Sequence, residues 1–310
     1  MDQNLESSQI GLPEIVYHYT SMDALVSIAT NRNLRATSIA YLNDHQEREL
    51  FLSAVRERFH DALKLTEELD SDFLRFLRGS PREFSSQDEV SPFVVSFSEE
   101  QDSLMHWRSY CPQQNGVAIG FKTACLREAR VDQKPEAGMI VEQALFSKVY
   151  YIRSSDHEII DAQIIGIYEN ALRRHEKYKD LYARAGTGLG HLFREGAETA
   201  ACFFKHHSFR TENEYRLLLG DLRSREDAVQ FRSTRSTLIP FVPLWVPGRV
   251  EIEKGAFHKD QSRGPWDAIA TLTIGPTVNM DLSVAAARAL FRSKGMQVEI
   301  QKSRVPYRDW

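Results

Sequence analysis

Strand-like runs stand at both ends of this chain with helical periodicity between them, and that order constrains the fold more than any single motif. Ile15 to Thr20 is an unbroken β-branched and aromatic run, the composition of a strand. Phe93–Ser98 and Gly116–Phe121 read the same way, as do Glu214–Leu219, Thr237–Val242, Arg249–Ile252, Ala268–Ile274 and Gln297–Gln301 further on. A first helix is expected from about Ser21 to Asn31, opened by Thr20 and Asp23 at three-residue spacing. A second follows Asn43 and Asp44, which have capping-box spacing to Gln46 and Glu47; its apolar stripe is Leu50, Phe51, Ala54, Val55, Phe59, Ala62 and Leu63. A short helix carries Leu104, Met105 and Trp107. Between residues 155 and 185, Ile160, Ile164, Ile167, Ala171, Tyr178 and Leu181 approximate one helical face; a further helix runs from His191 to about Lys205, and an amphipathic one covers Leu282–Arg292. This distribution predicts an α+β protein with a flexible N-terminus over 1–13 and one domain over 14–310, its helical segment at about 155–207.

Composition narrows the function classes. With 39 basic and 43 acidic residues the net charge is −4, so no global field draws the chain to nucleic acid or to an anionic membrane. Cys111, Cys125 and Cys202 are odd in number, far apart and free of CxxC spacing, which argues against a disulfide framework or a zinc site; no metal is expected. Met1–Pro13 lacks the basic and apolar regions of a leader, and no apolar run nears the roughly 18 residues of a membrane span. A cytoplasmic protein is the expectation. Gly186-Thr187-Gly188-Leu189-Gly190 lacks the spacing of a dinucleotide fingerprint, and no P-loop, HExxH or GxSxG motif occurs.

Five short stretches carry a resemblance: Tyr17-His18-Tyr19-Thr20-Ser21, Leu42-Asn43-Asp44 with Glu47, Ser96-Phe97-Ser98-Glu99, Met105-His106-Trp107-Arg108-Ser109-Tyr110, and Glu212-Asn213-Glu214-Tyr215-Arg216. With Asn115-Gly116, Gly120-Phe121, Lys205, Ile274-Gly275 and Pro306-Tyr307-Arg308 they resemble, in order and content, the bacterial family of domain of unknown function 2971 (DUF2971). That family in turn resembles a remote branch of the ADP-ribosyltransferase fold, a mixed β core with inserted helical segments. Its sites draw a His or Arg from a first strand, a Ser or Tyr from a second and a Glu from a later one.

The resemblance implies NAD as substrate and offers Glu214, Glu212 and His18 as catalytic candidates. Breaking the nicotinamide–ribose bond passes through an oxocarbenium-like sugar that a carboxylate stabilises. Glu214 would take the ribose 2′-hydroxyl and that charge, and Glu212, on the same face of a regular strand, would position or deprotonate the acceptor. The implied cofactor-binding set is His18, Tyr19, Thr20, Ser96, Ser98, Trp107, Tyr110 and Lys205. Alternation puts His18 and Thr20 on one face and Tyr19 on the other, so His18 is taken as facing the cleft and Tyr19 as core.

Plainer roles compete. Trp107 and Tyr110 also read as core anchors, Asn43 and Asp44 as a helix cap, Lys205 as a helix-terminal charge beside His206 and His207, and the two glutamates as a solvated face paired with Arg210 and Arg216. At the level of function, an intracellular toxin or antiphage effector is implied, transferring ADP-ribose to an unknown macromolecular or nucleotide acceptor or hydrolysing NAD, with an antitoxin or sensor protein as a possible partner. The alternatives are a nucleic-acid-processing or binding effector, using Arg223, Arg225, Arg232 and Arg235 or Lys302, Arg304 and Arg308, and a catalytically silent interaction module.

Overall fold

Where apolar and β-branched residues run together the chain forms strands, and where they recur at helical spacing it forms helices, as a computed structural model of the protein shows for residues 11–42, 45–64, 77, 92–131, 144–220, 226–234, 236–249 and 266–306. In chain order these are β1 (Ile15–Ser21), α1 (Met22–Asn31), β2 (Asn33–Ser38), α2 (His45–Leu63), β3 (Phe93–Ser98), α3 (Leu104–Tyr110), β4 (Gly116–Lys122), α4 (Thr123–Leu126), β5 (Arg130–Val131) and β6 (Leu145–Lys148). There follow β7 (Tyr150–Ile152), α5 (His157–Lys177), α6 (Lys179–Ala185), α7 (Leu189–Ala201), β8 (Phe204–His206), a 3-10 turn (His207–Glu212), β9 (Glu214–Leu219), β10 (Gln230–Ser233), β11 (Leu238–Trp245), β12 (Ile269–Ile274), α8 (Met280–Ser293) and β13 (Glu299–Lys302). The α+β class is as expected, and the main sheet is mostly antiparallel. Asn43, Asp44, Arg223, Arg225, Arg235, Arg308, Gly79 to Ser91 and Gly255 to Gly264 lie outside the described residues, as do most of the expected strand at Arg249–Ile252 and the side chain of Glu47.

The chain divides into two compact units. The sheet unit takes Leu12–Tyr41, Ser91–Lys148 and Glu212–Trp310. Its strands run β10-β11-β2-β3-β1-β4-β12-β13, with β9 on β3, β6 on β9 and β5 on β11. Ser21, and not Thr20, caps α1 by accepting the N–H of Ala24; Thr20 is still in the ladder opposite Val117. On one edge β3 pairs with β2 at Val94 and Phe93 but with β1 at Ser98, while β9 runs along its other edge. Between those two short pairings β1 and β2 part.

The helical unit takes Leu42–Val90 and Val149–Thr211 with Met1–Gly11. Phe51, Val55 and Phe59 are fully buried with Leu50, Ala54, Ala62 and Leu63 packed beside them, so the stripe read in α2 finds its core on α5 and α7. Leu52 joins them from the flank. The face over residues 155–185 holds only in part: Ile160, Ile164 and Ala171 are buried, but Tyr178 and Leu181 are exposed. The helix breaks at Tyr178, whose φ of −118° and ψ of 29° are not helical, and the break carries α6 out of the periodic register. Gly186, left-handed at φ 66°, ends α6 as a C-cap, which explains the glycine run as a turn between helices.

Candidate functional site

Three neighbouring strands of the sheet unit gather most of the residues singled out above. Tyr17 of β1 faces Ser98 of β3, which faces Glu214 of β9, and Ser96 faces Arg216. Residues opposed in a ladder share a face of the sheet, so Ser96, Ser98, Glu214 and Arg216 form a polar patch with Tyr17. Alternation places His18 on the other face, where its ring lies 5.7 Å from that of Phe97. The sequence reading, which turned His18 toward the glutamate, could not see this because register between β1 and β3 is a tertiary property.

His18 instead sits at the parting of β1 from β3. Its Nδ1 donates to the Ser96 carbonyl at 2.9 Å, replacing a ladder bond where the strands separate. A carbonyl only accepts, so the proton is on Nδ1 and Nε2 is the acceptor of the neutral ring. Burial pushes the imidazole below its ordinary value of 6.5, and the Ser96 bond offsets this only partly. The sign follows from linkage: below about 6.5 the unfolded chain binds a proton that the folded one refuses, so stability falls as pH drops through that value. Denaturant midpoints at mildly alkaline and mildly acidic pH are expected to differ less in His18→Asn than in the wild type. An unchanged pH slope in the variant would refute the assignment.

Glu214 is 5% exposed and is gripped by the guanidinium two residues on: Arg216 Nε to Oε1 at 2.7 Å and Nη2 to Oε2 at 3.1 Å. The pairing with Arg216 is as one plainer reading had it, but it is buried and not solvated. Glu212 departs from the expected strand face. It ends the 3-10 turn, and Asn213, left-handed at φ 43°, separates it from β9, so strand alternation does not link the two carboxylates. Glu212 is 7% exposed and accepts the hydroxyl of Tyr110 at 2.6 Å.

Ser98 fixes this turn. Its hydroxyl donates to the Glu212 carbonyl at 2.7 Å and accepts from the Glu100 N–H at 3.0 Å. Asn213 adds a bond to Glu100 at 2.9 Å, and its carbonyl takes the Glu99 N–H. Asn tolerates the left-handed conformation because its short polar side chain bonds locally. The turn therefore aims Glu212 and Glu214 from a rigid frame.

Tyr19 is buried, as expected, stacking on His106 at 4.6 Å and meeting Trp107 edge-on at 4.8 Å, with its hydroxyl donating to Glu100 O at 2.6 Å. Trp107 is buried too and donates Nε1 to Asp102 at 2.7 Å, an anchor more than a stacking platform. Tyr110, 42% exposed, is the aromatic of the pair that keeps a free edge to solvent. Thr20 is half-buried and its carbonyl accepts from the Cys111 thiol, a thiol pushed up to about 12 by burial. Lys205 belongs to the helical unit. It does not end a helix, since α7 stops at Ala201 and Lys205 is the middle residue of β8, 1% exposed, with Nζ 5.2 Å from the centre of the Phe209 ring. Arg232 lies on β10, and Lys302 is paired with Asp281 at 2.6 Å.

Sequence reasoning missed Tyr110's bond to Glu212 and the Ser98 clamp, and it read the Glu214–Arg216 pair as solvated where it is buried. Among the described residues no cluster of three or more His, Cys, Asp or Glu is placed to hold a metal ion, and no helix is long and apolar enough to cross a membrane.

An α+β chain whose buried carboxylates are aimed by a clamped turn beside the centre of a mixed sheet is the class that fold and site define. Residues 106–217 match the model of the family described as a protein of unknown function, DUF2971, which supports that family for this chain. The matched span holds Trp107, Tyr110, Lys205, Glu212 and Glu214, and starts after His18, Tyr19, Thr20, Ser96 and Ser98. No curated protein and no solved structure matches the chain.

Proposed function

We propose that the sheet unit is an ADP-ribosyltransferase-like domain that cleaves the nicotinamide–ribose bond of NAD, with Glu214 as the carboxylate that stabilises the sugar cation. The observation that carries this reading is the adjacency of β1, β3 and β9, with His18 at the parting of the strands, Ser96 and Ser98 on the next strand and the buried Glu214 opening the one beyond. In the proposed step the electron pair of the C–N bond leaves with neutral nicotinamide. A nucleophile, either an acceptor group or water, then adds to the sugar and gives up a proton. A carboxylate held in place before the charge develops is the kind of preorganised electrostatic group that lowers such a barrier most. Glu212, hydrogen-bonded to the partly exposed Tyr110, is the candidate to orient the nucleophile. A bacterial toxin or antiphage effector is the role that the family resemblance supports, with an acceptor yet to be named.

A second reading is favoured by a specific observation. Glu214 is engaged by Arg216, Glu212 by Tyr110, and His18 lies on the opposite face from Glu214, which suits a catalytically silent interaction module that keeps the fold and not the chemistry. One experiment separates the two: nicotinamide release from NAD by the purified chain, alone and with a cell lysate supplying acceptors. The transferase reading expects release that Glu214→Gln lowers by about 10²–10³-fold while circular dichroism shows an intact fold. Release without lysate means hydrolysis, and release only with it means transfer. No release under either condition overturns the transferase reading and leaves the silent module or the nucleic-acid effector in its place.

A further inference from the structure

At the end of β8 the helical unit gathers the basic side chains of Arg153, His207 and Arg210. Nη2 of Arg153 lies 3.1 Å from Nε2 and 3.3 Å from Nδ1 of His207, and Nη1 of Arg210 approaches the same Nδ1 at 3.4 Å. His206 is the exposed neighbour and adds to the positive field on His207, while the acidic group within range is Asp156. That carboxylate is occupied by the backbone N–H of Arg153 at 2.9 Å. Neither guanidinium forms an ion pair among the described residues.

The convergence is built by the backbone. β7 and β8 pair in parallel with Ile152 beside His206, which brings the residue after each strand, Arg153 and His207, to the same end. Asp156 fixes the turn that carries Arg153. His207 and Arg210 are three apart on the 3-10 turn, so their side chains eclipse. A neutral imidazole has one acceptor nitrogen and cannot satisfy N–H groups from two guanidiniums. Two like charges held this close repel, and the partner that relieves the repulsion is an anion with several acceptor oxygens in a compact, tetrahedral array. Arginine forks match phosphate oxygens two at a time.

We infer that Arg153, His207 and Arg210 form a binding site for the phosphate group of a small phosphorylated ligand, free phosphate or the terminal phosphate of a nucleotide. Three side chains at one strand end span a single phosphate, and the net charge of −4 disfavours a long polyanion. The inference is independent of the NAD reading, and Glu214→Gln leaves it intact.

The test is titration of the full-length protein with inorganic phosphate and with ADP, followed by calorimetry or by 31P NMR. Arg153→Gln and Arg210→Gln replace exposed side chains and should fold; Arg173→Gln on α5, another exposed arginine, is the control. Saturable binding is expected, weakened roughly tenfold by either substitution and further by both, and untouched by the control. Equal affinity for the two probes assigns the site to free phosphate, and tighter ADP assigns it to a nucleotide. The inference is overturned if the double variant binds as the wild type does or if nothing saturates by about 10 mM. It is equally overturned if a single-stranded oligonucleotide binds far more tightly than ADP with steep salt dependence, which would make the cluster part of a polyanion surface.

Discussion

Replacing Arg216 by Met is expected to cost about 3–5 kcal/mol of folding stability, the usual penalty for removing one partner of a buried ion pair. The reason lies in what remains. Glu214, 5% exposed, loses both bonds of the guanidinium fork at 2.7 and 3.1 Å and is left as a carboxylate with little water to solvate it. Glu214→Gln is expected to cost less, because an uncharged amide still accepts from Arg216 through its oxygen and carries no charge to strand. Combining the two substitutions should recover part of the Arg216→Met loss, since the charge that made the single change costly is gone. Denaturant midpoints for the two single variants and the double variant measure the coupling. Additive losses would mean that the fork does not hold Glu214. The same series guards the activity assay: a Glu214→Gln protein that folds normally but releases no nicotinamide has lost chemistry and not structure.

The second large effect belongs to the helical unit. Phe51 is fully buried and stacks on Phe204 with centroids 4.1 Å apart and planes 7° from parallel. Phe59, one turn pair further along α2, meets Phe193 edge-on at 5.1 Å. Phe51→Ala removes a whole ring from a close-packed interior, and both the lost transfer energy and the cavity count against it, for about 3–5 kcal/mol. Phe51→Leu keeps most of the volume and should lose much less. A midpoint shift in Phe51→Ala no greater than that in Phe51→Leu would show that the site collapses around the gap.

Much of the architecture was legible from residue order alone. The α2 stripe and the amphipathic α8 carry a helical period, and β1, β3, β4, β9 and β12 are continuous β-branched or apolar runs, signals contained within one segment. Short strands were not legible: β2, β5, β7, β8 and β10 are too brief or too polar for periodicity to register. Thr237–Val242 reads as a strand, but β11 runs on through Pro243 to Trp245, past a proline that lacks a ladder donor. For the candidate site, the residue types were legible and their relations were not. Sequence placed Glu212, Glu214, Ser98 and Tyr110 among the residues of interest. Only the fold could show that Ser98 clamps the turn, that Tyr110 holds Glu212, and that His18 points away from Glu214.

What the sequence determined by itself, then, is the class of fold, the amphipathic helices and the stretch over 106–217 that matches the DUF2971 model. Each is a property of residues near one another along the chain. Tertiary structure alone decided which strands neighbour which, that Lys205 is buried in a strand, and that Arg153 meets His207 across more than fifty positions of sequence. A one-residue change of register between strands would exchange the faces of all their side chains, and register is set by the packing of distant segments, which no local pattern records.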